Sequence, residues 1–259
     1  MSRTVKAAAV QFNIRVGDID ANVAYLQGAL ARLAKDGCQL AVLPEMWSTG
    51  YAYKELNELA LRTPEVVEEL AKLSQEHGMV VVGSLPEPHG EKVYNTAYVM
   101  DRGVLVGKYR KIHLFSMMGE DRSLDGGDSW LVVDTHLGRI GVFICYDLRF
   151  PELARRLAVE GAEILVVPAE WPKPREAHWR TLLQARAIEN QLFVVATNCC
   201  GIQGKLDFFG GSLIIGPKGE LLAEGGQEQG ELTATLDFSV MANWRQQIPC
   251  FNDRKPEYY

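Results

Sequence analysis

The sequence lacks the patterns that identify several classes of protein. Its five cysteines are odd in number and widely spread, which does not fit a disulfide framework and is typical of a reducing cytoplasm. It has no CxxC or HExxH pattern and its five histidines are scattered, so we expect no metal site. It also has neither a GxGxxG nor a P-loop pattern, so we expect no nucleotide cofactor.

Charge and hydropathy exclude further classes. The formal net charge is −6 and the pI is about 5.5, which argues against a nucleic-acid partner. No apolar run approaches the roughly 18–20 residues of a membrane span, and residues 1–6 have no signal-peptide core. Hydrophobic residues make up 47% of the 259 residues, and no Pro-, Gly- or Ser-rich linker interrupts them. We therefore expect one globular domain over residues 1–259.

Many strands and few helices are predicted along the chain. The predicted strands span 5–12, 40–43, 79–84, 93–100, 104–109, 130–134, 139–144, 164–167, 193–197, 210–216, 221–224 and 231–236. The predicted helices run from a cap at Asp20 to Lys35, from a cap at Thr63 to Gly78, from Pro151 to about Glu160, and over 175–190. This pattern suits an α/β protein with two mixed sheets that face each other and helices outside.

A weak internal repeat supports two related halves. Residues 41–45 (Ala-Val-Leu-Pro-Glu) and 166–170 (Val-Val-Pro-Ala-Glu) are both strands that end near a proline and are followed by a carboxylate. Two halves, each with one sheet and helices on one side, would produce this pattern.

The segment 141–152 is the most informative part of the chain. A buried-looking strand runs directly into Cys145, and Pro151 opens an amphipathic helix. At a strand-to-helix elbow, unpaired backbone N–H groups point at whatever the sulfur attacks, so Cys145 is a candidate nucleophile. The alternative is a structural cysteine in the core, which is the commonest state of a free cysteine.

Three other residues offer the groups that such a thiol needs. Glu45 follows a strand and a proline in an apolar, aromatic segment, and a carboxylate shielded from water could take the thiol's proton. Lys111 follows another strand, and a lysine beside a thiol favours the thiolate and can stabilise an oxyanion. Glu120, in a Met-rich loop, could orient Lys111 or a water, although a solvated loop charge is a serious alternative.

A cysteine–histidine enzyme is also possible, because this is the usual pairing in thiol hydrolases. His113 is the only histidine in an obvious site segment, and we expect it to pack behind Lys111 instead. We expect the adjacent cysteines Cys199 and Cys200 to pack in the core.

Three motifs, in this order, resemble those of the nitrilase superfamily of carbon–nitrogen hydrolases. They are Leu-Pro-Glu at 43–45, Tyr-Arg-Lys-Ile-His-Leu-Phe at 109–115, and Ile-Cys-Tyr-Asp-Leu-Arg-Phe-Pro-Glu at 144–152. The similarity runs from Val5 to the C-terminus. Within the superfamily the chain resembles the omega-amidase group most, through Trp-Pro at 171–172, His-Trp at 178–179 and the segment 184–190.

The resemblance implies a fold and a catalytic triad. The fold is an α-β-β-α sandwich that usually dimerises, so that the sandwich continues across two chains. By motif match, Glu45 is the general base, Lys111 the oxyanion lysine and Cys145 the nucleophile that forms a thioester. The backbone N–H of Tyr146 is the second oxyanion donor. Glu120 matches, by loop position, the second glutamate that many members carry.

The resemblance also implies a substrate, a small dicarboxylate monoamide such as α-ketoglutaramate or α-ketosuccinamate, hydrolysed without a cofactor. Its free carboxylate needs a cationic or amide partner. Candidates for that partner are Arg149, Lys173, Arg175 and Arg186. Arg186 could instead pair with Glu189 on the same helix face. Phe115, Trp171 and the loop at Tyr51 could form the pocket wall.

Other functions stay open at this point. The chain could be another carbon–nitrogen hydrolase, acting on an N-carbamoyl amino acid, a deaminated-glutathione-like amide or a nitrile. It could be a binding protein on an inactive hydrolase scaffold, although the complete set of Glu45, Lys111 and Cys145 weighs against this. A thiol redox protein would need a resolving cysteine near Cys145, and none is locally paired with it.

Overall fold

The computed structural model describes residues 3–258 and contains fourteen strands and six α-helices in that range. The strands are β1 (Thr4–Gln11), β2 (Leu40–Val42), β3 (Val80–His89), β4 (Lys92–Asp101), β5 (Val104–Arg110), β6 (Leu131–Thr135), β7 (Gly138–Val142), β8 (Ile164–Ala169), β9 (Phe193–Asn198), β10 (Cys200–Gln203), β11 (Leu206–Phe209), β12 (Leu213–Ile215), β13 (Leu221–Glu224) and β14 (Gly230–Asp237). The helices are α1 (Ile19–Lys35), α2 (Leu56–Ala60), α3 (Thr63–His77), α4 (Pro151–Val159), α5 (Glu176–Asn190) and α6 (Phe238–Gln247).

Two six-stranded sheets dominate the structure. Their strand orders are β14-β1-β2-β3-β4-β5 and β13-β12-β9-β8-β7-β6. In each sheet the two central pairings are parallel and the outer pairings are antiparallel. The two sheets therefore repeat one topology, and the prediction of two mixed sheets is confirmed.

The burial pattern of the strands explains how the layers stack. In β1, Ala7 and Ala9 belong to the core cluster that joins the two sheets, whereas Ala8 and Val10 pack in the cluster under α1 and α3. Successive side chains of a strand point to opposite faces, so both faces of this sheet are apolar and covered. Helices α4 and α5 cover the other sheet in the same way. This arrangement is the predicted four-layer α-β-β-α sandwich.

The helix boundaries follow local capping chemistry, but neither predicted cap, Asp20 or Thr63, lies at the N-cap position. The side chain of Asp18, not Asp20, caps α1 by accepting a hydrogen bond from the backbone N of Ala21 at 3.0 Å. The prediction of a cap at Asp20 was wrong, because the helix begins earlier and Asp20 lies in its first turn. Helix α3 also starts with Thr63 already inside it, and Gly78 ends it in the left-handed conformation at φ 64°.

Strand β3 continues beyond the predicted end at Ser84, through Pro86 and Pro88. Its partner β2 pairs only with Val80–Val82, so beyond Val82 the only strand that pairs with β3 is β4. The N–H and C=O groups of alternate residues point away from β4. The Ser84 carbonyl, for example, accepts a hydrogen bond from the Trp47 N–H. The nitrogens of Pro86 and Pro88 lie on the side away from β4, where no partner strand is present, so the missing N–H groups cost no strand-pairing hydrogen bond.

Several short elements escaped the sequence patterns. These are α2, the hairpin of β10 and β11, and α6. Helix α2 is too short for a helical period, and α6 buries only Phe238 and Met241. Within residues 3–258, no helix combines the length and the apolar character that crossing a membrane requires.

Candidate active site

Four strand ends deliver ionisable residues to one place between the sheets. Glu45 follows β2, Lys111 follows β5, Cys145 follows β7 and Glu170 follows β8. The backbone N–H of Glu170 donates to Glu45 Oε2 at 3.0 Å, so the ends of β2 and β8 meet although they belong to different sheets. Such edges at the carboxyl ends of parallel strands are where sites form in α/β proteins.

Both elbows at this edge hold a non-glycine residue in the left-handed region. Met46, which follows Glu45, has φ 44°, and Cys145 has φ 45°. Residues other than glycine rarely adopt this backbone conformation, so the surrounding structure must stabilise it. Ser84 Oγ accepts the Met46 N–H at 2.8 Å, and Asp147 Oδ2 accepts the Ile144 N–H at 3.0 Å. Each candidate catalytic side chain is thus presented by a fixed turn.

Asp147 stabilises the turn that carries Cys145. Its buried carboxylate also accepts hydrogen bonds from Tyr109 Oη at 2.7 Å and from the His113 backbone N at 3.0 Å. The His113 ring contacts the same carboxylate through Nδ1 at 2.7 Å and stacks on Phe150 with ring centroids 3.5 Å apart. His113 therefore supports the elbow and does not face the Cys145 sulfur, which argues against a cysteine–histidine pair.

A fully buried ion-pair network joins Lys111 to two glutamates. Lys111 Nζ lies 2.8 Å from Glu45 Oε1 and 2.7 Å from both Glu120 carboxylate oxygens. Glu120 Oε2 also accepts the Phe115 backbone N–H at 2.7 Å. The structure thus brings the predicted Glu120 against Lys111, and its burial argues against a solvated loop charge.

Glu45 accepts four hydrogen bonds, two at each oxygen. Lys111 Nζ and Asn95 Nδ2, the latter at 2.7 Å, donate to Oε1. Tyr51 Oη at 2.8 Å and the Glu170 backbone N–H donate to Oε2. A carboxylate offers about four lone-pair sites, so the resting Glu45 is saturated and rigidly oriented.

Burial sets the protonation states in the network. Burial, followed by the charge of Glu45, raises the pKa of the Cys145 thiol well above its ordinary value, and Lys111 only partly opposes this. Lys111 favours the thiolate, but its effect on the pKa of Cys145 is smaller than that of burial. Burial alone would lower the pKa of Lys111, but Glu45 and Glu120 outweigh it and raise the pKa, so the ammonium stays charged. The thiol needs a base at the moment of attack.

Glu87 anchors the strand that carries Lys111. It accepts hydrogen bonds from Lys108 Nζ at 2.6 Å, Arg110 Nε at 2.9 Å and Thr96 Oγ1 at 2.7 Å. Burial opposes the charged form, but the hydrogen bonds from Arg110, Lys108 and Thr96 prevail and lower the pKa of Glu87 to about 2. A carboxyl group with a depressed pKa stabilises the fold above its unfolded pKa and loses that contribution as the pH falls.

We expect Glu87→Gln to lower the free energy of unfolding at pH 7 by about 2 kcal/mol, after allowance for the partly exposed cations. The difference between the variant and wild type should shrink as the pH falls from about 5 towards 2. Urea unfolding at pH 7 and pH 3 measures it. Equal stabilities at pH 7, or a difference that does not change with pH, would contradict this account.

A narrow pocket with a cavity volume of about 20 Å³, partly open to solvent, lies against Cys145. Among the predicted residues, those in its lining are Lys111, Phe115, Glu120, Tyr146, Arg149, Trp171 and Arg175. Tyr51, whose loop was expected to form a wall, also lines it. A cavity of this size holds about one water molecule, so the side chains of its walls must move apart to admit even a small substrate.

Two arginines stand at this pocket without a counter-ion. The Arg149 guanidinium lies over Trp171 at 4.7 Å from the ring centroid, and the Arg175 guanidinium lies over Phe115 at 4.9 Å. Neither forms an ion pair with any residue between 3 and 258, and Arg149 only approaches His178 Nδ1 at 3.4 Å. Arginine is suited to bidentate binding of a carboxylate, so the pair is an anion-binding feature.

The other two side chains that were candidates for binding the substrate carboxylate, Lys173 and Arg186, lie outside this pocket. Lys173 pairs with Asp207 at 3.2 Å and lines a separate surface groove. Arg186 is buried, donates to the Leu148 carbonyl at 2.7 Å and pairs with Glu189 at 3.0 Å. Lys173 was assigned from proximity in sequence, but the chain turns between it and Arg175, which puts the two side chains in different cavities.

Sequence reasoning missed four residues that shape the site. Tyr53 lines the pocket, and Asn95 donates to both Glu45 and Glu120. Asn198 holds the Trp171 backbone by two hydrogen bonds. Glu170 lines the pocket as well, and the repeat that relates 41–45 to 166–170 was the signal that could have identified it. Across residues 3–258, no cluster of three or more His, Cys, Asp or Glu side chains could bind a metal ion.

Comparisons with known proteins agree with this geometry. The sequence model described as "Carbon-nitrogen hydrolase" matches residues 6–246. The chain is 40% identical to the 2-oxoglutaramate amidase of Bacillus subtilis (strain 168), over 96% of this chain and 97% of that protein. It is 36% identical to omega-amidase NIT2 of Xenopus tropicalis, over 87% of this chain and 86% of that protein. The crystal structure of a carbon–nitrogen hydrolase from Helicobacter pylori G27 superposes with a TM-score of 0.94 at 26% identity, covering 100% of this chain and 97% of that one.

Proposed function

The chain belongs to the carbon–nitrogen hydrolase family, and we propose that within this family it is an omega-amidase. Its substrate is a small dicarboxylate monoamide, 2-oxoglutaramate (α-ketoglutaramate) or α-ketosuccinamate, from which it releases ammonia. The observation that carries the proposal is the pair of unpaired arginines, Arg149 and Arg175, in a pocket that ends at Cys145. The names of the 2-oxoglutaramate amidase and omega-amidase relatives support it.

In the first half of the reaction, Cys145 becomes acylated. Glu45 takes the thiol proton while the sulfur attacks the amide carbonyl carbon, which forms a C–S bond and a tetrahedral oxyanion. The Lys111 ammonium and the Tyr146 backbone N–H stabilise the oxyanion. The protonated Glu45 then gives its proton to the amide nitrogen, the C–N bond breaks, and ammonia leaves a thioester on Cys145.

In the second half, water hydrolyses the thioester. Glu45 takes a proton from the water as its oxygen attacks the carbonyl carbon, and the same donors hold the second oxyanion. The C–S bond then breaks, and the proton returns from Glu45 to the Cys145 sulfur. Glu120 holds Lys111 in place throughout, since both of its oxygens contact Lys111 Nζ.

We expect the wild-type enzyme to release ammonia from 2-oxoglutaramate with a kcat/KM about 10- to 100-fold above that for pentanamide, a neutral amide of similar length. A charge-assisted hydrogen bond contributes roughly 1.5–3 kcal/mol, which corresponds to this ratio. Arg149→Gln and Arg175→Gln should each reduce the preference for 2-oxoglutaramate over pentanamide, mainly by raising the KM for 2-oxoglutaramate. The measurement is coupled detection of ammonia over a range of substrate concentrations.

Lys173→Gln is the matched control, because it removes a nearby positive charge that lies outside the pocket. It should leave the preference unchanged. Preference for an N-carbamoyl amino acid, a deaminated-glutathione-like amide or a nitrile would replace the proposed substrate with one of those alternatives. Absence of hydrolysis on all of them would favour a binding protein on this scaffold.

We also propose that residues 1–259 form one domain and that the enzyme works as a homodimer in the cytoplasm. The core cluster shared by the two sheets supports a single domain. The free thiols at Cys38, Cys145, Cys199, Cys200 and Cys250 support a reducing compartment. The resemblance to the nitrilase superfamily supports the dimer.

A further inference from the structure

Glu170 is a buried carboxyl group that the catalytic steps above do not use. Its side chain is 1% exposed, and it lies in the lining of the pocket that ends at Cys145. Both carboxyl oxygens are buried, and apart from an interaction with the Cys199 thiol, a weak donor, neither has a hydrogen-bond partner. An unsatisfied buried carboxyl group costs several kcal/mol, so a residue of this kind in a pocket points to a ligand that completes it.

The backbone of Glu170 lies beside the reacting groups. Its N–H donates to Glu45 Oε2 at 3.0 Å, and its carbonyl oxygen accepts the Cys145 thiol at 3.8 Å. Residue 170 therefore touches both the base and the nucleophile. A substrate amide whose carbonyl oxygen points at Lys111 and the Tyr146 N–H must direct its nitrogen away from them, towards Glu45 and Glu170.

The hydrogen bonds of that nitrogen need an acceptor other than Glu45. A primary amide carries two N–H donors. Glu45 already accepts four hydrogen bonds, from Lys111, Asn95, Tyr51 and the Glu170 backbone, and once it has taken the thiol proton it is the donor to the leaving nitrogen. Glu170 is the neighbouring residue whose carboxyl oxygens retain acceptor capacity, since only the weakly donating Cys199 thiol interacts with them.

We propose that the Glu170 carboxyl group determines specificity for primary amides, by accepting a hydrogen bond from the substrate NH2 group and then from the departing ammonia. The inference rests on the proposed amidase function. No proton is transferred to Glu170, since the proton that the leaving nitrogen gains comes from Glu45. An ester or an N,N-dialkyl amide of the same acid offers no N–H to this oxygen and gains nothing from it.

The charge balance of the site is compatible with this role. Burial and the neighbouring charge of Glu45 raise the pKa of Glu170 well above its ordinary value, while Lys111 and the Cys199 thiol oppose the shift. A neutral carboxylic acid keeps a carbonyl oxygen that accepts a hydrogen bond. It also adds no third negative charge beside Glu45 and Glu120, so it does not repel an anionic substrate.

The test compares Glu170→Gln with Glu170→Met, two side chains of similar length of which only glutamine keeps a carbonyl acceptor. The substrates are succinamate and monomethyl succinate, together with the neutral pair propionamide and methyl propionate. The amide and ester of a pair form the same thioester, so they differ only at the leaving group. Release of ammonia or methanol gives kcat/KM for each.

We expect Glu170→Met to lower kcat/KM for the amides about 10- to 100-fold and to change the ester values less than about 3-fold. Glu170→Gln should keep the amide values within about 5-fold of wild type. Equal losses on amide and ester, or no loss on the amides, overturn the inference. If Glu170→Met does not fold, as thermal unfolding would reveal, Glu170→Leu replaces it as the variant without an acceptor, and the same losses and the same contrary outcomes apply to it.

The two amide–ester pairs also distinguish a failure of this inference from a failure of the proposed substrate. If wild type cleaves propionamide but not succinamate, the dicarboxylate assignment fails and the Glu170 comparison stands on the neutral pair. If the variants lose no amide selectivity on a succinamate that wild type cleaves well, the role of Glu170 fails alone. Hydrolysis of neither amide overturns both.

Discussion

Replacement of Cys145 by alanine should slow the release of ammonia from 2-oxoglutaramate by at least about 10⁴-fold, because the sulfur forms the covalent bond to the acyl group. Alanine meets the same backbone requirement as cysteine at φ 45°, so the elbow and its hydrogen bonds to Asp147 should persist. The loss should therefore appear in kcat with little change in thermal stability. Rapid quenching and mass spectrometry of the wild type should find the acyl group on Cys145.

The control for this variant is Cys250→Ala, which removes a half-buried thiol outside the pocket. It should hydrolyse the substrate at the wild-type rate. A Cys145→Ala variant that keeps more than a tenth of the activity would rule out Cys145 as the nucleophile. An acyl group found on a residue other than Cys145 would do the same.

Glu45→Gln should lower kcat by about 10³-fold or more, since general-base catalysis contributes roughly 10²–10⁴-fold and Glu45 serves both half-reactions. The raised pKa of the Cys145 thiol explains why this loss is large, because the resting sulfur is protonated and Lys111 does not ionise it. The residual activity of the variant should rise with pH, as solution hydroxide replaces the missing base. Steady-state kinetics between pH 6 and 9 measures both effects.

Tyr51→Phe is the matched control for the base, because it removes one of the four donors to Glu45 and leaves the carboxylate in place. It should retain most of the activity. If Glu45→Gln keeps more than about a tenth of the wild-type rate, or if its residual rate is independent of pH, another group must take the proton.

The two halves of the molecule contribute to the site in different ways. Each half ends a central strand with a carboxylate, Glu45 after β2 and Glu170 after β8, and their backbones join through one hydrogen bond. Glu45 accepts four hydrogen bonds, whereas the Glu170 side chain interacts only with the weakly donating Cys199 thiol. The shared topology therefore supports an asymmetric function, because one carboxylate is placed as a base and the other is free to bind.

Residues that directly follow strands were recognisable from the sequence. Glu45, Lys111 and Cys145 stand where an apolar run ends, and the carboxyl ends of parallel strands gather at one edge. Asn95 gave no comparable signal, because it lies in the middle of β4, where the residues around it are all buried. Its amide turns towards Glu45 only because β4 pairs with β3 and places residue 95 opposite Pro86.

The sequence by itself determined the layer architecture and the chemistry of the nucleophile, since both depend on local patterns of apolar residues, turns and motifs. Only the tertiary structure decided which charged side chains line the pocket and that the Cys145 thiol is protonated in the resting site. Arg175 and Lys173 are two positions apart, yet one lines the pocket and the other pairs with Asp207. The burial that keeps Cys145 protonated arises only when two sheets close over it, because desolvation depends on atoms from distant parts of the chain.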